Sequence, residues 1–298
     1  MPREAPLSKV RALLRVVGPA QSGAPARRPR LVRGMRADAA LARIGTECLR
    51  HYRANTGLLR EERSSEAVHQ ARIALRRLRA ALAVFAPLLP AAELAAFRRD
   101  IRARFALLGA ARDLDVLIAH GAPLAPPPSV LVAREQAYAA IEADLASDAD
   151  AVLAAGIGRW LARGDWRRAK PRRGGEAIEH LATRRLERLE NRLRRHGRHF
   201  RRLDDAALHR LRKDAKTLRY ASEFFAGLAV DGGAQSRCKR LATRLRRFQD
   251  RLGALTDRSA ANPFDWPPPR PDEPGEGRLR RRARKAWRRL KAAKPVRF

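Results

Sequence analysis

VHQARIALRRLRAALAVF, residues 68–85, and LHRLRKDAKTLRYASEFF, residues 208–225, decide the fold. Aligned without a gap, they match His69 with His209, Arg72 with Arg212, Arg76 with Lys216, Arg79 with Arg219 and Phe85 with Phe225. A second match follows each copy at nearly the same distance: LGAARD begins at Leu108 and LGALTD at Leu252. Two matched blocks in one order signify an internal repeat, and hence two related halves.

Each copy carries the period of an amphipathic helix. On an ideal helix His69, Arg72, Arg76 and Arg79 fall within an arc of roughly 80°. Ala71, Ala74, Leu75, Leu78, Ala81, Leu82 and Phe85 lie opposite. In the second copy His209, Arg212, Lys216 and Arg219 form the stripe, and Leu211, Ala215, Leu218, Ala221 and Phe225 the apolar side. Lys213 sits beside the second stripe. Arg77 lies on the flank of the first, where it serves packing or a neighbouring site. Arg72/Arg76 and Arg212/Lys216 are like-charge pairs at i,i+4, each costing a few tenths of a kcal/mol. No acidic residue is read as interleaved to relieve them. Bound phosphate would do so, because guanidinium forks engage its oxygens in charge-assisted pairs. A basic helix face is often simply solvated, and a histidine can brace a helix. The same stripe twice, at equivalent positions and opened each time by histidine, favours a binding surface.

Outward from the repeat the pattern stays helical, with no sustained period-2 alternation to suggest a sheet. Helices are expected at about 36–54, 64–86, 91–109, 112–120, 130–155, 158–168, 176–202, 205–228, 234–256 and 278–293. Residues 1–34, with GPAQSGAPARRPR, read as a disordered basic arm. KPRRGG at 170–175 reads as the linker between a first half, 35–172, and a second, 173–298. NPFDWPPPRPDEPGEG at 262–277 reads as an extended connection. The last helix opens a run of eleven basic and no acidic residues between Arg278 and Arg297.

Composition agrees with a polyanionic partner. Lys+Arg number 65 against 31 Asp+Glu, a formal charge of +34. Such a field destabilises a compact chain by self-repulsion and concentrates anions around it. Polyphosphate, nucleic acid and an anionic membrane surface are the classes to separate. Cys48 and Cys238 have no metal-type spacing, which fits a reducing cytoplasm. No apolar run reaches membrane length. Aromatic residues make up only 5%, which is poor for base stacking.

The motifs VHQARIALRRLRAAL (68–82), LLGAARDLDVL (107–117), LHRLRKDAKTLRYASEFF (208–225) and FQDRLGALTD (248–257) resemble those of the CHAD family, the conserved histidine α-helical domain. The resemblance runs over about 36–298, with AWRRLKAAKPVRF similar to the family's closing helix. It implies an all-α fold of two pseudo-symmetric four-helix bundles with a basic groove or channel between them. It also implies non-catalytic binding of inorganic polyphosphate, at polyphosphate granules and beside proteins of polyphosphate metabolism. The family's binding positions fall on His69, Arg72, Arg76, Arg77, Arg79, His209, Arg212, Lys213, Lys216 and Arg219, with Arg112 a further candidate. The sequence departs from the pattern in three places. Thr256 stands where the first half has Arg112 and the family commonly has Asn. Residues 121–175 match no family motif. The 258–277 connection is Pro-rich.

Other clusters argue for little. Arg112, Asp113 and Asp115 are read structurally, with Gly109 ending one helix and Asp113 capping the next; Asp257 after Gly253 is read likewise. His196 and His199 lack a third metal ligand and are read as solvated. There is no P-loop glycine motif, no Glu-x-Glu-x-Lys pattern and no metal-holding carboxylate set, so no catalytic residue, metal or cofactor is expected. The alternatives kept open are non-specific nucleic-acid binding, with help from the basic ends, and an accessory role beside a polyphosphate-metabolising enzyme.

Overall fold

The computed structural model describes residues 23–169, 171–258, 263–268 and 274–298. Among them every regular element is helical: α1 (Ala37–Glu61), α2 (Ser65–Val84), α3 (Ala91–Gly121), α4 (Pro128–Ala146), α5 (Asp148–Arg163), the single turn α6 (Pro171–Gly174), α7 (Ile178–His196), α8 (Asp205–Phe225), α9 (Gly232–Arg258) and α10 (Glu276–Lys291). The two copies of the repeat are α2 and α8. Each begins on a side-chain cap at the same place in the repeat. Ser64 accepts from the Ala67 N–H at 3.1 Å and Asp204 from the Ala207 N–H at 2.7 Å. Such a cap contributes about 1 kcal/mol and sets where the stripe begins.

Packing follows the repeat. α2 lies between α1 and α3, with α4 on α3 and α5 against α1 and α4. α8 lies between α7 and α9, and α10 closes on α9. The two sets meet where α2 touches α8. The seam is aromatic: the fully buried Phe85 and Phe225 rings lie 6.1 Å apart, tilted by 58°. Truncating either to alanine would cost about 3–5 kcal/mol. Polar ties hold the first set. The Tyr52 hydroxyl donates to Asp150 at 2.6 Å, and Arg63, between α1 and α2, reaches Glu135 and Glu142 on α4. In the second set Trp287 of α10 packs on Phe200 and Phe248.

Several expectations need correction. Residues 91–121 form one helix, so Gly109 is interior and Asp113 caps nothing. Residues 130–168 break at Ser147, whose side chain caps α5 by accepting from the Ala149 N–H. KPRRGG is partly helical, as α6. The arm expected to be disordered through residue 34 is held over its described part, 23–34. Asn55 brackets Ala24, its side chain accepting from the Ala24 N–H at 2.9 Å and donating to the Ala24 carbonyl at 3.0 Å. Leu31 is buried in the core. Backbone bonds and one apolar anchor thus replace the hydrophobic period whose lack suggested disorder. Residues 1–22 of that arm, and 259–262 and 269–273 of the Pro-rich connection, lie outside the described residues. No described helix is long and apolar enough to cross a membrane.

Candidate functional site

The first stripe lies along the groove between α2 and α3. His69, Arg72, Arg76 and Arg79 are all half-buried. The Arg72 Nη1 donates to the Phe105 carbonyl at 3.2 Å. Its Cζ stands 4.4 Å from the Phe105 ring centre, with those of Arg76 at 5.6 Å and Arg79 at 5.5 Å. Three guanidiniums therefore share one aromatic platform, a cation–π arrangement worth about 0.5–1 kcal/mol per contact where solvent reaches it. Like charges this close need such support.

Gly109 makes the approach feasible. A Cβ there would lie 2.4 Å from the Arg72 Nη1. The helix therefore accepts a glycine in its interior so that a guanidinium can lie against its backbone. Phe105 and Gly109 share a face of α3 with Arg98, Arg102 and Arg112, through steps of three and four residues. Arg98 and Arg102 act on Arg79, and Arg112 on both His69 and Arg72. The sequence reading missed Arg98, Arg102 and Phe105: they share one face of the helix expected at 91–109, but no spacing along the chain shows that this face meets the stripe of α2.

The charges in this groove are strained. Burial first, then Arg112, pull the His69 ring below its ordinary pKa; Glu66 opposes them, and Arg76 and Arg72 add to the lowering. Burial also depresses Arg72, with Arg76 and Arg112 adding to it and Asp113 opposing. Asp113 stands 3.9 Å from the Arg72 Nη2 and is largely exposed. Arg79 is lowered by burial, then by Arg102, Arg76 and Arg98. An anion entering the groove would relieve all of these.

The second stripe lies along α8 and α9 and is built differently. Arg212 Nη1 donates to the Thr256 hydroxyl at 2.5 Å, the position matching Arg112. Gln249 takes the place of Phe105, its carbonyl accepting from Arg219 Nε at 3.0 Å and its amide donating to the Ala215 carbonyl at 2.9 Å. Arg219 also pairs with Glu223, at i,i+4, at 2.6 Å. This corrects the expectation of stripes with no interleaved acid: Glu223 falls on the stripe, where the first copy has Ala83. His209 and Lys213 are exposed, Arg212 and Lys216 half-buried. His209 is lowered by burial, then by Lys213, Arg212 and Lys216. The charge neighbours that shift each histidine come from its own half.

Arg77 belongs to neither groove. It is buried, donates through Nη2 to the Arg27 carbonyl at 3.1 Å and stands 5.7 Å from the Phe224 ring centre. It ties the arm and α2 to α8, the packing role its flank position allowed. His196 is not simply solvated either, since its Nδ1 lies 2.6 Å from Asp214, which Arg192 also contacts at 2.8 Å. Asp115 is buried, accepting from Tyr138 and Arg134. The side chain of Asp257 lies outside the described residues. No group of three or more metal-type ligands occurs among the described residues.

The fold and these faces define a class: an all-helical protein whose duplicated helix carries a cationic, histidine-opened stripe in each half. The family model of the CHAD domain matches residues 43–264, and the chain belongs to that family. It is also similar in structure to the CHAD domain from the plant Ricinus communis, with a TM-score of 0.62 and 24% identity over 92% of this chain and 93% of that one. This second likeness speaks for the fold alone. No curated protein matches the chain.

Proposed function

We propose that the protein is a non-catalytic binder of inorganic polyphosphate. The observation that carries this reading is the α2/α3 groove. There Arg72, Arg76 and Arg79 converge on Phe105 beside His69, and burial and neighbouring guanidiniums act against the charges of Arg72 and Arg79. A flexible chain bearing one negative charge per unit matches a row of cations spaced along a helix. Bidentate guanidinium contacts to phosphate oxygens then offset the like-charge cost. In this reading the two pseudo-symmetric helical halves each offer the polymer a basic face of their own, on α2 with α3 and on α8 with α9. The physiological setting is the polyphosphate granule, with proteins of polyphosphate metabolism as neighbours.

Duplex or single-stranded nucleic acid is the second reading, favoured by the exposed arginines of α10. Counterion release makes binding to either polymer salt-dependent, so salt does not separate them. Competition does. With the full chain at physiological salt, long-chain polyphosphate should displace a labelled duplex at a lower phosphate concentration than unlabelled duplex does. Equal or better displacement by DNA would overturn the assignment. Phosphate released from the chain in the presence of Mg²⁺ or Mn²⁺ would overturn its non-catalytic part.

A further inference from the structure

A second concave site lies at the seam, on residues separate from both stripes. It is a cavity of about 300 Å³ walled by Arg172 and Arg173 of α6 and Arg184, Arg185 and Arg188 of α7. Its apolar lining comes from Pro87 and Leu88 beyond α2 and from Leu181. One carboxylate, Glu176, lines it and pairs with Arg184. The volume falls at the lower end of the range for small-molecule sites.

The charge count sets the ligand's chemistry. One guanidinium fork suits one carboxylate, and Glu176 already occupies that of Arg184. Four further guanidiniums then face the cavity, too many for a single carboxylate and suited to an anion with several charges and many acceptor oxygens. Arg185 is the preorganised member. Its Nη2 is tied to the Ala83 carbonyl at 2.8 Å, and its buried Nε has no hydrogen-bond partner among the described residues. Burial, with Arg188 and Arg192, works against its charge. An anion in the cavity would offset that cost. The volume of about 300 Å³ favours a compact ligand over a long solvated chain.

We propose that this cavity binds a compact, multiply charged phosphate compound, with Glu176 as the internal anion that the ligand displaces from Arg184. The site does not depend on the groove of α2 and α3, and all five of its arginines lie outside the matched blocks of the repeat. Arg173 and Arg188 are exposed, so replacing them should leave the fold intact.

Isothermal titration of the full chain with sodium tripolyphosphate tests the proposal, with trisodium citrate as the carboxylate control. Arg173→Ala with Arg188→Ala should weaken one class of tripolyphosphate sites at least tenfold and leave long-chain polyphosphate binding within twofold. Glu176→Gln should strengthen tripolyphosphate binding threefold or more, an effect that a purely structural carboxylate would not produce. Arg72→Ala with Arg76→Ala should leave this class unchanged, so failure of the groove and failure of the cavity read out separately. Tripolyphosphate binding indifferent to the Arg173/Arg188 pair would overturn the site. Equal binding of citrate would overturn its phosphate chemistry. Parallel loss of tripolyphosphate and long-chain binding in that pair would overturn its separateness.

Discussion

Replacing Gly109 by alanine tests whether the first groove works through the placement of one guanidinium. The added methyl would stand 2.4 Å from the Arg72 Nη1 and 3.6 Å from its Cζ. Ordinary contact needs about 3.5 Å or more, so the guanidinium must move by about 1 Å. The clash falls on the far end of a flexible side chain and leaves the backbone in place. Alanine is favoured over glycine inside a helix by about 0.5–1 kcal/mol. Displacement also costs Arg72 its bond to the Phe105 carbonyl. That loss is offset as the guanidinium, now depressed by burial, regains water. Stability should therefore change by no more than about 1 kcal/mol, a few degrees in Tm for a chain of this size. Binding should suffer more. Weakening one charge-assisted phosphate contact by about 1 kcal/mol lowers affinity roughly fivefold. Fluorescence polarisation with labelled polyphosphate, beside a thermal melt, reads both. Wild-type affinity in Gly109→Ala would refute the role given to Arg72. A Tm lowered by more than about 5 °C would show that the glycine serves helix packing instead.

Two further outcomes follow from the same geometry. Reversing Arg72 and Arg212 together to glutamate should weaken polyphosphate binding at least tenfold, whereas reversing the exposed Arg281 and Arg282 of α10 should cost threefold or less; equal losses would mean that net charge, and not either groove, holds the polymer. Glu190, buried between α7 and the closing helix, has its pKa pushed up to about 7 by burial, with Glu187 adding and Arg194 opposing. Its folded pKa exceeds the unfolded value near 4.5, so its contribution is complete below pH 4.5 and is lost as pH rises through 7. Glu190→Gln should accordingly raise Tm at pH 8, by the equivalent of about 3 kcal/mol at most, and leave it unchanged at pH 4.5. A uniform shift across pH would show that Glu190 is already ionised in the folded protein.

What the sequence by itself determined is local and periodic. The 3.6-residue period, the repeat from Val68 and Leu208 and the choice of side chain at each turn are properties of single helices. They were enough for the all-α class, the family, and the cationic stripes at His69 to Arg79 and His209 to Arg219. Glu223 was legible too, one turn beyond Arg219, but the stripe was followed no further. The tertiary structure decided everything that depends on what faces a helix. Gly109 looked like a terminator because glycine more often ends helices than interrupts them, yet it serves the approach of Arg72 from α2. Arg98, Arg102 and Phe105 gained meaning only when α3 packed on that stripe. Arg77, one residue from Arg76, turned to the core, because about 100° of rotation carried it to the seam with Phe224. The arginine-lined cavity brings together residues about 100 positions apart, from Pro87 to Arg188. No spacing rule along the chain encodes such a meeting, which arises when the two halves close on Phe85 and Phe225.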